Sequence, residues 1–234
     1  MCTSFAPVPP AAGPAVKKVS AGPRPDNGKD YLFSETTAAD LLYQSAGLND
    51  YGLSREAFTY AWKGYQRLQE MNMLGRDMYL TICDFSQSSA QKRLYIIDMQ
   101  QGKLVTNTYV AHGKNSGGEY ATRFSNIPES LQSSLGFFIT RQTYIGEHGL
   151  SLRISGVEPG FNDKAMERSI VIHGAAYVDG ARARAGVFMG RSFGCPAVPQ
   201  QESGKIIQTI KDGTCLFIYH PSRNYLLRSK LLNG

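Results

Sequence analysis

The chain has 234 residues, of which 42% are apolar and 19% charged. This composition favours a folded globular protein and excludes a mostly disordered one, and the length suits one good-sized core with a small appendage. The net charge of +6 is consistent with an anionic partner or simply with a well-solvated basic surface. Because the basic residues are scattered and no nucleic-acid-binding motif is present, no nucleic acid partner is expected.

The first 33 residues are rich in Pro, Ala and Gly and show no hydrophobic periodicity, which predicts a flexible linker. We expect such a linker to follow a removed export signal, which places the protein outside the bacterial cytoplasm, in the periplasm or cell envelope. Cys2 is then either the lipid-carrying cysteine of a lipoprotein or an incidental thiol. No apolar run reaches the roughly 18 residues that a membrane-spanning helix needs.

Residues 34–76 are predicted to form a helical segment packed on the domain that follows. TTAADLLYQSAGL is typical of a short amphipathic helix. In LSREAFTYAWKGYQRLQEMNML, apolar side chains recur at helical spacing, namely Phe58, Ala61, Trp62, Tyr65 and Leu68. Ser54 is the predicted N-cap of this second helix, and Leu53 and Phe58 are placed to form a hydrophobic staple around it.

From residue 78 the pattern changes to short β-branched and aromatic runs separated by turn residues. The predicted strands are MYLTICDF, KRLYIIDM, KLVTNTYVA, GFFITRQTYIG, SLRISGV, SIVIHGAAYV and TCLFIYHP. One further helix is predicted from about Pro199 to Gly213. The fold class is therefore mainly β with flanking helices, a mostly antiparallel sandwich or barrel that occupies residues 77–234.

Two of the four cysteines, Cys83 and Cys215, lie in these apolar strands. They are either buried and inert or joined in a bridge, and the sequence leaves both readings open.

Cys195 lies in GRSFGCPAVP, a stretch of glycines, prolines and small residues. On residue types alone it is either a packed thiol in a tight turn or a presented nucleophile. His173, at the end of an apolar strand and followed by Gly174, supplies a base for the second reading. The backbone N–H groups of Phe193, Gly194 and Cys195 are placed to converge on an oxyanion.

The combination of IVIHGAAYV with the later GRSFGCPAVP resembles the L,D-transpeptidase family, with its YkuD-like fold, in the branch of murein L,D-transpeptidase catalytic domain proteins. The resemblance extends over about residues 78–222. It implies a cysteine acyltransferase of the bacterial cell wall that attacks the bond after the diamino acid of a peptidoglycan stem peptide and releases D-alanine. The acyl group then passes to an amine, which makes a cross-link, or to water, which trims the stem.

On this pattern Cys195 is the nucleophile, His173 is the general base and then acid, and the Gly174 carbonyl orients the imidazole. The resemblance gives the oxyanion donors as Gly194 and Cys195. The turn geometry adds Phe193, so the predicted oxyanion donors are the backbone amides of Gly194, Phe193 and Cys195. The family pattern implies no cofactor, and a monomer is expected.

The chain departs from better-known relatives at two positions: Phe193 stands where they carry His, and Ala197 stands where they carry Arg. Arg191 and Arg153 are the candidates to replace the missing arginine as substrate anchors. The remaining predicted substrate-binding residues, each with a turn or core role as its alternative, are Ser192, His112, Tyr144, His148 and Asn126.

Three competing functions have weaker support. Zinc hydrolysis would need H-E-x-x-H or paired C-x-x-C motifs, which are absent, so no metal is expected. A sortase-type reaction at Cys215 would place the nucleophile inside an apolar strand without the accompanying motif. A non-catalytic wall-binding module would not need His173 and Cys195 together.

Overall fold

The computed structural model describes residues 30–234, with side chains from residue 38 onward. Cys2 and most of the predicted linker lie outside the described residues. Helix α1 (Asp30–Ser45) begins inside the stretch predicted as linker. In the described part of the chain, no helix combines the length and apolar character needed to cross a membrane.

Helix α2 (Arg55–Glu70) is the better defined of the two N-terminal helices. The predicted N-cap is confirmed, because Ser54 Oγ accepts a hydrogen bond from the Ala57 N–H at 3.1 Å. Its apolar stripe is buried against the sheet, and Phe58 and Leu68 are almost fully shielded from solvent. The helical segment is therefore part of the same core as the strands.

Within residues 30–234, eight strands form one sheet. They are β1 (Tyr79–Asp84), β2 (Leu94–Asp98), β3 (Lys103–Thr108), β4 (Gly136–Gly146), β5 (Gly149–Gly156), β6 (Val171–Ala175), β7 (Ala197–Pro199) and β8 (Cys215–Tyr219). Their spatial order is β3-β2-β1-β8-β4-β5-β6-β7. Most neighbours are antiparallel, and the parallel pairs are β1 with β8 and β6 with β7.

The sheet is a nearly closed barrel because the chain that follows β3 returns to its opposite edge. Ala111 pairs with Ala197 of β7, and Gly113 pairs with Ser192. The remaining helices are α3 (Gly180–Arg184), α4 (Gln200–Ile210), α5 (Arg223–Arg228) and α6 (Lys230–Asn233). The prediction of a mainly β fold with flanking helices is confirmed, whereas β7, α3, α5 and α6 were not predicted.

Cys83 and Cys215 are free and fully buried, so the bridge considered from the sequence does not form. They lie on the parallel neighbours β1 and β8, where Cys83 pairs with Ile218 and Cys215 pairs with Leu80. The two sulfurs are therefore not opposite each other. Burial raises the pKa of Cys83 to about 12 and also raises that of Cys215, so both thiols stay protonated and inert.

Helix α2 approaches the sheet most closely at Gly64. A Cβ at this position would lie 1.9 Å from Cζ of Phe137, which is itself fully buried on β4 and stacked on Phe217 at 4.1 Å between ring centroids. Only a residue without a side chain allows this contact between helix and ring.

We expect Gly64→Ala to lower the free energy of unfolding by about 1–3 kcal/mol, because the Phe137 ring has no space to move away. The measurement is urea-induced unfolding. Gly204→Ala on α4 is the matched control, since a Cβ there would have no atom within 4 Å. It should stabilise the protein by about 0.5–1 kcal/mol through helix propensity. Equal stabilisation by both substitutions would contradict the close approach of α2.

Candidate active site

The parallel pairing of β6 with β7 brings Cys195 and His173 together. His173 pairs with Ala197, so Cys195, two residues before Ala197, falls beside Val171, two residues before His173. The Cys195 sulfur accepts a hydrogen bond from the Val171 N–H at 3.4 Å. Cys195 and His173 line the same cleft, which has a volume of about 820 Å³.

The imidazole of His173 is held in one orientation. Its Nδ1 lies 3.0 Å from the Gly174 carbonyl oxygen, and its ring stacks on that of His148 with centroids 4.2 Å apart. Because a carbonyl only accepts, Nδ1 carries the hydrogen in this contact and Nε2 is left with a lone pair. Burial lowers the pKa of His173, as does the nearby His148, although the Gly174 contact opposes them. The ring is therefore a neutral base at pH 7.

Gly174 has a packing role beside its contact with the imidazole. A Cβ on Gly174 would lie 2.6 Å from Ser203 Oγ and 2.8 Å from Gln200 Oε1, both on α4. The glycine therefore lets α4 pack directly on β6.

The turn before Cys195 is fixed by Ser192 and Gly194. Ser192 Oγ donates to the Cys195 carbonyl at 2.6 Å and accepts from the Gly194 N–H at 3.2 Å. Gly194 has φ of 122°, and a Cβ there would lie 2.8 Å from the Gln132 carbonyl oxygen. The conformation and the space both require glycine.

This geometry changes the expected set of oxyanion donors. The N–H of Gly194, one of the predicted donors, is used within the turn, where it donates to Ser192 Oγ. The N–H groups of Phe193 and Cys195 donate to no acceptor within residues 30–234. They are the amides that remain for an oxyanion.

Arg168 lies behind this turn and lines the cleft. It donates to the Ser125 carbonyl at 2.7 Å, the Gln132 carbonyl at 2.6 Å and Ser130 Oγ at 3.2 Å. From the same segment, Ser133 Oγ donates to the Gly194 carbonyl at 3.2 Å. Arg168 was not predicted as a site residue. The one feature of the sequence that points to such a role is its position just before β6, the strand that carries His173.

The ionisation of Cys195 is governed by opposing effects. Burial raises the pKa of its thiol above the ordinary value, whereas the Val171 N–H and the Arg168 cation lower it. A thiolate at this position therefore depends on those two partners and on a base that removes the proton.

A sequence model of the L,D-transpeptidase catalytic domain matches residues 49–219, which is well over half of the chain. The chain belongs to the L,D-transpeptidase catalytic domain family. The match begins before α2, so it includes that helix as well as the barrel up to β8. A search of curated proteins found no match.

Several solved L,D-transpeptidases are similar in structure, at low identity. One from Mycobacterium smegmatis is 11% identical, with 61% of this chain and 59% of that chain covered and a TM-score of 0.39. One from Mycobacterium tuberculosis H37Rv is 13% identical, with 61% and 58% covered and a TM-score of 0.35. Residues 123–326 of one from Xylanimonas cellulosilytica are 14% identical, with 90% and 100% covered and a TM-score of 0.36. The chain thus spans about three fifths of the two mycobacterial structures. Family membership rests on the sequence match.

Most of the site residues predicted from the L,D-transpeptidase resemblance line the one cleft. They are Cys195, His173, Gly174, Phe193, Arg191, Ser192, Tyr144 and His148. Glu147, Tyr177 and Gln200 also line it and were not predicted.

His112, Asn126 and Arg153 do not line this cleft. His112 is fully buried, with Nδ1 2.7 Å from Arg93 Nη2, because Arg93 fills the interior at that strand end. Asn126 donates to Asp163 Oδ1 at 2.8 Å and lines a separate pocket of about 240 Å³. Arg153 is exposed, and its guanidinium lies 4.3 Å from the ring centroid of Tyr144.

The two departures from better-known L,D-transpeptidases occupy different environments. Phe193 is 68% exposed, and Lys114 Nζ lies 4.5 Å from its ring centroid. Ala197 is fully buried in a small apolar cluster that includes Ala111, Ala175 and Met189. A long charged side chain does not fit at position 197, so a cation in this cleft has to come from another segment.

We expect His148→Phe to raise the pKa of His173, because the substitution keeps a stacked ring but removes the imidazole whose presence lowers that pKa. The measurement is NMR titration of the His173 ring. His220, stacked on Phe124 in another part of the fold, is the internal control and should titrate unchanged. A lowered or unchanged midpoint for His173 would contradict the expected effect of His148 on the base.

Proposed function

We propose that the chain is a peptidoglycan L,D-transpeptidase that forms a cysteinyl thioester on Cys195 with the diamino acid of a stem peptide. The supporting observation is that Cys195, two residues before β7, lines the same cleft as His173 of β6, whose imidazole is oriented by the Gly174 carbonyl. The reaction belongs in the periplasm or cell envelope, where this polymer is found.

Acylation begins when His173 Nε2 takes the proton of the Cys195 thiol. The sulfur attacks the carbonyl carbon of the diamino acid, in the amide bond to D-alanine, and the carbonyl oxygen becomes an oxyanion. The N–H groups of Phe193 and Cys195 hold that charge. When the C–N bond breaks, His173 returns its proton to the leaving D-alanine nitrogen, and the thioester remains.

In the second half, an acceptor amine attacks the thioester carbonyl and gives a proton to His173. The C–S bond breaks, the proton returns to the sulfur, and a new amide cross-link leaves the cleft. Water in place of the amine would give a shortened stem, which is the carboxypeptidase alternative. Peptidoglycan stems carry carboxylates, and the exposed Arg191 offers them a cation at the cleft wall.

Cys195→Ala should lower D-alanine release from tetrapeptide muropeptides by about 10³-fold or more, because the nucleophile is lost. Products are read by mass spectrometry, in which dimers indicate transpeptidation and shortened monomers indicate hydrolysis. Cys83→Val is the matched control: it changes a buried thiol outside the cleft and should keep the activity. Persistent release by Cys195→Ala, at wild-type rate, would assign the chemistry elsewhere.

A carbapenem should acylate the wild-type protein once, at Cys195, because only this thiol among the described cysteines reaches solvent. Intact mass followed by peptide mapping locates the adduct. An adduct on Cys83 or Cys215 would contradict the assignment of the nucleophile.

A further inference from the structure

We propose that Arg168 is a positioning residue that fixes the turn carrying Cys195 and stabilises the thiolate of that residue by its charge. The proposal rests on the proposed function in that Cys195 is the nucleophile.

The guanidinium of Arg168 ties together a wall of the cleft. Its hydrogen bonds go to oxygens of the segment 125–134, which are the carbonyls of Ser125 and Gln132 and the hydroxyls of Ser130 and Ser134. All four acceptors are neutral, and no carboxylate among the described residues lies within 4.0 Å of the guanidinium. The hydrogen bonds therefore fix the position of the guanidinium, and no negative charge neutralises it.

The same guanidinium contacts the turn from behind. Arg168 Nη2 lies 3.3 Å from where a Cβ of Gly194 would be, on the residue immediately before Cys195. The Gln132 carbonyl that accepts from Nη2 lies 2.8 Å from that same point. Ser133 then bonds the Gly194 carbonyl, so the segment held by Arg168 also holds the turn.

A thiolate in this half-buried position has little other support. Among the described residues, Val171 N–H is the one backbone donor to the sulfur. The second polar contact, the Ser169 carbonyl at 3.8 Å, is an acceptor that favours the protonated thiol. An uncompensated cation beside the turn offsets the cost of burying the negative charge. Arg168 therefore supplies a positive charge near the thiolate, which the hydrogen bonds of the sulfur do not provide.

The test is the pH dependence of Cys195 alkylation by iodoacetamide, followed by mass mapping of the full chain. In Arg168→Gln, the midpoint should move to higher pH because the thiolate loses its cation. Alkylation near pH 7 should slow about 5- to 10-fold, while the limiting rate at high pH stays close to wild type. Arg168→Lys keeps the charge without the planar fork, so its midpoint should stay nearer to wild type while turnover falls.

Arg141→Gln is the matched control, since it removes an exposed arginine of β4 that does not line the cleft. Its alkylation profile should equal that of the wild type. If Arg168→Gln does not fold, as judged by circular dichroism, Ser130→Asp replaces it: a carboxylate beside the intact guanidinium neutralises the charge, and the midpoint must again rise. An unchanged midpoint in the folded variant would overturn the proposal and leave Arg168 a purely structural tie.

Alkylation reports the thiolate without any peptidoglycan substrate. A wild-type protein that releases no D-alanine would refute the proposed function, whereas the comparison between Arg168 variants would still decide the role of this arginine.

Discussion

The short parallel ladder between β6 and β7 is the constraint on which the rest of the site depends. Its register sets His173 against Ala197 and thereby Cys195 beside Val171. A slip by one residue would turn the sulfur to the other face of the sheet, away from the imidazole. Ala111 pairs with Ala197 of β7 on the side away from β6. The pairing that closes the barrel therefore also holds β7 in the register that places Cys195 near His173.

The strands that were predicted correctly are those marked by the residue types of the strand itself. β1, β2 and β8 are almost entirely buried runs of β-branched and aromatic residues, and their positions agree with the pattern. β7 has three residues and ends in Pro199, so nothing local marks it as a strand. The C-terminal helices likewise depend on distant partners, because buried Glu158 accepts hydrogen bonds from Tyr225 and Ser229. Such contacts are not visible in a single sequence.

The site residues also differ in whether a local motif or a distant contact gives them their role. Cys195 and His173 carry motifs that can be read directly, but a histidine followed by glycine occurs three times, at His112, His148 and His173. The His112 ring contacts the buried guanidinium of Arg93 and is buried in the interior. The His173 ring stacks on the exposed His148 and lines the cleft. Arg168 has no motif, since its role comes from carbonyls of a segment more than thirty residues earlier in the chain.

The burial of Cys83 and Cys215 has a consequence for oxidative damage. A sulfenic acid at Cys195 can be captured as an intramolecular disulfide only when a second thiol of the chain can reach it. Both of these thiols are fully buried and protonated, and Cys2 lies outside the described residues. Within the described barrel, Cys195 is therefore the one cysteine thiol open to oxidation by peroxide, and no second thiol there can form a disulfide with it. Reduction of an oxidised Cys195 then depends on thiols from other molecules.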